Sequence, residues 1–304
     1  MGAAMPSRHP SRIALALALA GFCSLAVGDA LVKSMAGSWP APAVAALRYA
    51  FGALGLASWV AIRHGRGGFV MPRPWLHVGR GGAATLATLC FFLGVMAVPL
   101  ADATAIQFTS PIMTALLAPL VLGERTGRAT WAATALAFVG VLVVLRPNLA
   151  EIGPAALFPI GAAFGMSWLM MFNRMAAGDA PLMVMQFLMA VVAAPMLLAA
   201  AALLHWAGIV AVAWPAGLTI AKCAGVAILA TTGHTFIFAA VSRASASVVA
   251  PMTYVQLLIA AGLGWLWFRD APDAATFAGA ALIIAGGLLL WRAQKAPVVA
   301  VSAD

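Results

Sequence analysis

Three charged residues interrupt the first two apolar stretches of this chain. Asp29 and Lys33 stand four residues apart, on one face of a helix, and Arg48 follows in the next apolar stretch. This spacing favours a local ion pair between Asp29 and Lys33. Charges in an apolar environment are costly and usually face a cavity or one another, so the three predict a polar cluster at the outer mouth of a binding site. The alternative is that they lie at headgroup level and extend their charged ends to water.

A second group of candidate residues consists of neutral polar and aromatic side chains at helical spacing. Side chains three, four or seven residues apart share a helix face, and in apolar surroundings that face turns toward a partner helix or a cavity. Hydrogen bonding between helices, without a ligand, is the alternative. The predicted cavity residues are Thr85, Thr88, Phe92, Gln107, Ser110, Thr231, His234, Phe238, Thr253, Tyr254 and Gln256, together with Trp168 in a later stretch.

The chemistry that these residues allow is binding, with proton transfer as a second role. Amide, hydroxyl and imidazole groups orient the polar part of a small molecule, and aromatic or methionine side chains hold its apolar part. His234 titrates near neutral pH and Asp29 is the one acid within a predicted span, so both are candidates for proton coupling.

Motifs for other chemistry are weak or missing in the sequence. The three cysteines, at positions 23, 90 and 223, lie in apolar stretches without metal-ligand spacing, so no metal and no cofactor are expected. The chain has no G-x-x-x-x-G-K-[ST] loop for ATP. Gly165-Met166-Ser167 is a three-residue match to a serine-protease motif, which leaves an intramembrane enzyme as a remote alternative. Gly161-x-x-x-Gly165 predicts close helix packing.

The elements that position these residues are predicted to be membrane-spanning helices. Of the 304 residues 64% are hydrophobic and 8% are charged, too few charges to cover a soluble domain of this size. Apolar stretches of about 20 residues suffice to cross a bilayer core of about 30 Å. The fold class is therefore all-α integral membrane, with ten predicted spans near 13–32, 41–62, 79–98, 103–121, 128–145, 155–173, 181–204, 217–241, 246–268 and 274–291.

The net charge of +9 predicts orientation, not a nucleic-acid partner. If the N-terminus is cytoplasmic, twelve of the 17 Lys and Arg residues fall on the inner side. This bias predicts a multi-pass protein of the cell inner membrane with both termini cytoplasmic. The longest connection, 63–78, is predicted to be an exposed basic loop, with His77 in it, that contacts anionic lipid. The expected partners are the bilayer and a small-molecule substrate, and the protein is expected to be a monomer or a homodimer.

A tandem duplication organises the chain. The stretch Gly79–Arg146, shifted by 146 residues, aligns without a gap on Gly225–Arg292, and Glu124 then meets Asp270. The predicted units are a leader 1–12, a first five-span repeat 13–146, a second five-span repeat 155–292 and a tail 293–304. Because each repeat has an odd number of spans, the two enter the membrane from opposite sides. Such inverted five-helix repeats are typical of secondary transporters.

The motifs of the duplicated stretch resemble those of the EamA-type drug/metabolite transporter superfamily. In the first copy a proline-bearing span with Pro111 is followed by Gly123-Glu124-Arg125 and then by a span with a late Gly140; Ala250–Gly287 is similar. The resemblance implies a cavity lined mainly by spans three, four, eight and nine, with one and six. Arg269 and Asp270 depart from the family pattern, which has glycine and glutamate there.

The function implied by the repeat and the resemblance is secondary transport, without ATP, by alternating access. The expected substrates are small organic metabolites such as amino acids or their derivatives, because Asp29-Ala-Leu-Val-Lys33 and the later Arg48 resemble a branch that includes S-adenosylmethionine carriers. A broad-specificity drug/metabolite exporter is the alternative.

Overall fold

The computed structural model describes residues 12–122, 128–176, 178–241 and 253–295 of the chain. Within these ranges the regular elements are helices, as predicted. The α-helices are α1 Arg12–Lys33, α2 Ala41–His64, α3 Pro74–Ala97, α4 Leu100–Gln107, α5 Ser110–Leu122, α6 Arg128–Ile152, α7 Phe158–Met175, α8 Leu182–Trp206, α9 Gly217–Val241, α10 Thr253–Phe268 and α11 Ala274–Lys295. Two short 3-10 helices, Gly65–Phe69 and Gly153–Leu157, join α2 to α3 and α6 to α7.

Five helices in the described ranges are long and apolar enough to cross a membrane: α1, α2, α3, α8 and α9. Shorter apolar helical segments cover Trp131–Val143, Val255–Phe268 and Ala274–Leu289. Large apolar side chains also point outward, since Leu54, Ile62 and Phe138 are 66%, 82% and 62% exposed. An apolar surface of this kind fits lipid and not water. The protein is a multi-pass membrane protein, and the full count of ten spans stays a prediction.

The fourth predicted span, 103–121, is not one helix. Helix α4 ends at Gln107 and α5 begins at Ser110, with Phe108 and Thr109 in a turn between them. Thr109 donates its hydroxyl to the Ile106 carbonyl at 2.7 Å, which provides that carbonyl with a partner at the break. Pro111 follows at the second position of α5, where a missing N–H costs little. The proline therefore marks the start of a helix.

The predicted basic loop, 63–78, is also shorter in the structure. Helix α2 continues to His64, the 3-10 helix follows, and α3 already begins at Pro74. His77 is fully buried inside α3, so the prediction that it lies in an exposed loop was wrong. Its ring Nδ1 lies 3.0 Å from a guanidinium nitrogen of Arg80, and Arg80 itself is only 3% exposed.

The two halves of the chain pack against each other through pairs of helices, with one helix of each pair from each half. The first helix of each half packs against the third helix of the other half, α1 on α9 and α7 on α3, while α2 packs on α8 and α6 on α11. The contacts run antiparallel: Gly79 in α3 meets Phe172 near the end of α7, and Gly94 meets Pro159 near its start. Interchanging the two halves converts the α1–α9 pair into the α7–α3 pair and leaves the α2–α8 and α6–α11 pairs unchanged. The duplication seen in the sequence is therefore present in the helix packing.

Small residues set the distance between the paired helices. A Cβ atom placed on Gly165 in α7 would lie 2.6 Å from the backbone nitrogen of Ala87 in α3, and one on Gly161 would lie 3.0 Å from Cys90 Sγ. Gly21 in α1 and Gly233 in α9 approach each other in the same way, with 2.9 Å from either Cβ position to the other residue's carbonyl oxygen. The predicted packing role of Gly161-x-x-x-Gly165 agrees with this geometry.

We expect Gly165→Ala to destabilise the protein by about 1–3 kcal/mol, because the methyl group has backbone atoms in its way. Thermal unfolding of the purified protein in detergent measures this. Gly55→Ala in α2 is the matched control, since a Cβ there meets nothing within 4 Å. That variant should be neutral or slightly more stable. Equal melting temperatures for the two variants would contradict the close packing of α7 on α3.

Candidate functional site

A partly open cavity of about 70 Å³ lies between α2, α8 and α9. In this state it is smaller than a typical site for a drug-sized molecule, which is about 300–1,000 Å³. Its walls are mainly apolar, with a few polar side chains among them. The lining residues are Arg48, Tyr49, Gly52, Leu56, Leu182, Met183, Gln186, Met189, Ala190, Ala227, Ala230, Thr231, His234 and Thr235.

Helical periodicity brings these side chains to one space. In α2 the lining positions 48, 52 and 56 are four residues apart, and in α8 and α9 the positions 183, 186, 190 and 227, 231, 234 are three or four apart. Small residues at several of these positions leave the volume open. The polar groups come from three helices: Arg48 from α2, Gln186 from α8, and Thr231 and His234 from α9. Together they offer donors and acceptors around an apolar space.

Arg48 is held by aromatic rings. Its Cζ atom lies 4.5 Å from the centre of the Tyr49 ring and 5.8 Å from that of Phe92. The Tyr49 hydroxyl and the Thr88 hydroxyl are 3.1 Å apart, which links α2 to α3 behind the cavity. Arg48 is also near enough to Asp29 and His234 to act on both electrostatically. Cation–π contacts of this kind hold a guanidinium while leaving its edge free for hydrogen bonds.

Asp29 and Lys33 do not form the predicted ion pair with each other. Lys33 Nζ lies 2.9 Å from Asp270 Oδ2 and donates to the Val98 carbonyl at 2.8 Å. Asp29 Oδ2 accepts from Gln256 Nε2 at 2.9 Å. The local pairing was wrong because both side chains find partners on other elements. Lys33, the last residue of α1, reaches a loop beyond the helix end, and Asp29 turns to the neighbouring α10.

The other predicted site residues make contacts in separate parts of the structure. Thr85 donates to the Gly81 carbonyl of its own helix at 2.8 Å, and Phe92 is buried beside Arg48. Trp168 lies between Phe164 and Phe172, with ring centres 6.3 and 5.8 Å away. Gln107 ends α4 beside the turn at Phe108. The side chains of Phe238, Thr253 and Tyr254 lie outside the part that the structure describes.

Ser110 and Ser167 meet between α5 and α7. The Ser167 hydroxyl lies 2.7 Å from the Ala163 carbonyl of its own helix and 3.1 Å from the Ser110 carbonyl. The side chain is fully buried. The hydroxyl of the serine-protease-like triplet therefore serves helix packing in this structure, and its single proton is directed at backbone carbonyls.

This cavity is lined by the second, seventh and eighth predicted spans. The eighth belongs to the set that the resemblance implied, the second and seventh do not, and the cavity over the full implied set stays a prediction. Tyr49 and Gln186, which line the cavity, were not predicted. Gln186 carried a signal, because it is an amide in a long apolar run. The predicted polar faces lie mainly in the duplicated stretch, which begins at Gly79 and includes neither α2 nor α8.

A second polar cluster joins α3 to the loop between α7 and α8. Arg73 donates to both carboxylate oxygens of Asp179, and His77 Nε2 lies 3.6 Å from the same carboxylate. Arg80 donates to Asn173 Oδ1 at 2.7 Å and to the Met185 carbonyl at 3.1 Å. The hydrogen bond from Arg73 lowers the pKa of Asp179 below its ordinary value of 3.8. In the described ranges no group of three His, Cys, Asp or Glu is arranged to hold a metal ion.

Comparison with known proteins identifies the family. The model of the EamA-like transporter family matches residues 12–146 and again residues 153–292, nearly the whole chain. This chain belongs to the EamA-like transporter family.

Relatives of this EamA-like protein carry several substrate names. A riboflavin transporter of Rhizobium johnstonii is 34% identical over 220 residues, 72% of this chain and 70% of the relative. An S-adenosylmethionine uptake transporter of Rickettsia prowazekii is 28% identical over 255 residues, 83% of each chain. A pseudopaline exporter of Pseudomonas aeruginosa is 29% identical over 297 residues, 92% of this chain and 96% of the relative.

The fold of the EamA-like protein also matches a solved crystal structure. The TM-score is 0.58 at 22% identity, over 91% of this chain and 99% of the other. At this identity the likeness concerns the fold alone. The match to the family model confirms, at the level of the family, the resemblance seen in the duplicated stretch.

We expect Lys33→Ala and Asp270→Ala to be non-additive in stability. The side chains are 12% and 30% exposed, so the pair is only partly screened by solvent. A double-mutant cycle of thermal unfolding should give a coupling of about 1–2 kcal/mol. The pair Arg63→Ala and Asp270→Ala serves as control, because Arg63 lies at the far end of α2 and should show no coupling. Simple additivity of the Lys33 and Asp270 effects would contradict the ion pair.

We expect Asp179 to make the stability dependent on acid pH. A carboxylate with a lowered pKa contributes stability that is fully present above its unfolded value, near 3.8, and lost as the pH falls through the folded value. The melting temperature of the wild type should therefore fall between about pH 5 and pH 3. Asp179→Asn and Arg73→Gln should both lower it at pH 7 and reduce this acid-dependent loss. An unchanged pH profile in both variants would contradict the assignment.

Proposed function

We propose that this EamA-like protein is a secondary transporter that moves small organic metabolites, such as amino acids or their derivatives, by alternating access and without ATP. The observation that carries the proposal is the cavity, because its walls come from both halves, α2 of the first and α8 and α9 of the second. A site between two repeats opens to one side of the membrane or to the other as one repeat rocks against its partner. The names of the relatives, which include an uptake transporter and an exporter, support a small-molecule substrate.

The proposal includes ten spans in two inverted five-helix repeats, at 13–146 and 155–292, in the cell inner membrane. The antiparallel packing of α7 on α3 supports it, since an odd number of spans per repeat reverses the direction of the second repeat relative to the first. With α4 and α5 counted as one broken span, the α-helices of the described ranges form ten units, which supports the proposed count. The excess of Lys and Arg on one side supports the proposal that both termini are cytoplasmic.

Two polar contacts connect the halves near the predicted outer side. Lys33 of the first half binds Asp270 of the second, and Gln256 of the second half binds Asp29 of the first. Both contacts lie on α1 and must break or move if α1 separates from α10 and the loop after it. We propose that they hold the outer side closed in this state, as an interface with two arrangements requires.

A broad-specificity exporter is the second candidate. Met183 and Met189 form part of the cavity wall, and methionine adapts to varied apolar shapes. A screen for thermal stabilisation separates the two candidates, because a ligand that binds the folded state raises its melting temperature. One selective compound among amino acids, S-adenosylmethionine, riboflavin, nucleosides and cationic drugs supports a dedicated carrier. Small shifts with many apolar compounds support the exporter.

The test of the function is flux in proteoliposomes containing the purified protein. Compounds that stabilise the protein are added outside, with and without a proton gradient, and their accumulation is measured against empty liposomes. Saturable, protein-dependent accumulation supports the proposal, and a response to the gradient supports proton coupling through His234 or Asp29. Conversion of the compound instead of its movement would establish the enzyme alternative.

We expect His234→Ala and Gln186→Ala each to reduce flux about three- to tenfold, because each removes a hydrogen-bonding group from the cavity wall. His64→Ala is the matched control, since His64 is exposed at the end of α2. Gln107→Ala tests the predicted stripe on α4. A large loss with Gln107→Ala and none with His234→Ala or Gln186→Ala would move the site away from this cavity.

A further inference from the structure

Arg48 is the cation in the wall of the cavity, and among the described residues no carboxylate forms a direct ion pair with it. Asp29 is near enough to act on it electrostatically, but the carboxylates of three described aspartates have other partners. Asp29 accepts from Gln256 and Asp270 binds Lys33, while Asp179 binds Arg73 on a different face. No carboxylate in the described ranges lies within 4.0 Å of the Arg48 guanidinium.

The contacts that Arg48 makes in the described structure are with aromatic rings. Its Cζ atom lies 4.5 Å from the Tyr49 ring centre and 5.8 Å from that of Phe92. These rings restrict the side chain, and Tyr49 is itself held by the Thr88 hydroxyl at 3.1 Å. A guanidinium carries five N–H donors in its plane. In the described part of the chain no hydrogen bond engages them, so a positioned set of donors borders the open volume.

We propose that Arg48 binds a carboxylate of the transported molecule, so that the substrate is a carboxylate-bearing metabolite. The inference rests on the proposed transport function and names the substrate class of the same cavity. The guanidinium fork matches the two oxygens of a carboxylate, and charge-assisted bonds of this kind are the strong ones. Arg48 is partly buried in an apolar wall, and a bound carboxylate would supply the counter-charge for its guanidinium.

A single carboxylate fits this cavity better than a phosphate. Arg48 supplies one positive charge to the wall, which neutralises one negative charge, whereas a phosphate monoester carries nearly two at neutral pH. The remaining wall suits an organic body, with Tyr49, Met183 and Met189 beside its apolar part and Gln186, Thr231 and His234 beside its polar groups. The other titratable side chains that act on Arg48 are Asp29 and His234.

The experiment compares carboxylates with their own primary amides. Phenylacetate, indole-3-acetate, L-phenylalanine, L-methionine and S-adenosylmethionine are each paired with the amide, which keeps the shape and removes the negative charge. Binding to the purified full-length protein is measured by thermal shift and by titration of intrinsic tryptophan fluorescence at constant pH and ionic strength. The variants are Arg48→Gln, Arg48→Lys and, as matched control on the same helix, Arg63→Gln.

The expected result is that at least one acid binds the wild type about ten- to a hundredfold more tightly than its amide, as hydrogen bonds to a charged group do. Arg48→Gln should remove this difference by weakening the acid and not the amide. Arg48→Lys should restore part of it, because the charge returns without the fork. Arg63→Gln should keep the full difference. The melting temperature of each unliganded variant shows that the fold is intact.

Two results would overturn the proposal: no acid in the panel binds better than its amide, or Arg48→Gln keeps the preference. Its failure is distinguishable from failure of the proposed function. If amides and acids accumulate equally in proteoliposomes, the protein is a transporter but Arg48 does not select carboxylates. If neither accumulates, although acids bind in an Arg48-dependent manner, the transport function fails and the binding assignment stands.

Discussion

The fold depends on one constraint: a polar group inside a bilayer finds no partner in lipid and must be satisfied by the protein. The long-range polar contacts of this chain follow from it. Lys33 is held by a carboxylate and a backbone carbonyl from two other segments, and Arg80, nearly buried, is held by Asn173, His77 and the Met185 carbonyl. Apart from the contact of Arg80 with His77 in the same helix, each bond connects elements distant in the sequence. In a chain with only 8% charged residues, these few polar contacts help to determine which helices lie next to each other.

Close approach of backbones is the second requirement, because in lipid the hydrophobic effect does not drive helices together. The contacts of Gly21 with Gly233, and of Gly165 with Ala87, bring α1 to α9 and α7 to α3. These are equivalent pairs under exchange of the halves. Next to these pairs, α2 packs on α8 and on α9, and small residues such as Gly52, Ala190 and Ala227 line the cavity. Close packing at one interface and open volume at the next come from the same class of residue.

The loop after α10 shows how a departure from the family pattern has a structural use. Arg269 occupies the position where the resembling family has glycine, and its φ of 61° is in the left-handed region that favours glycine. The next residue, Asp270, turns toward the first half and binds Lys33 at 2.9 Å. The left-handed backbone of Arg269 lies directly before Asp270, at the turn that brings this carboxylate to Lys33 of α1. From the sequence alone both residues were merely loop positions.

The sequence by itself determined the properties that depend on local composition and repetition. Apolar length predicts helices in a membrane, the 146-residue shift reveals the duplication, and the motifs near Pro111 and Glu124 identify the family, because each is contained in a continuous stretch. The tertiary structure decided which groups meet. It separated Asp29 from Lys33, divided the fourth span at Phe108, buried His77 and opened the cavity beside Arg48 and Gln186. These outcomes depend on partners more than 60 residues away in the chain or on packing volumes, and neither is a property of a local pattern.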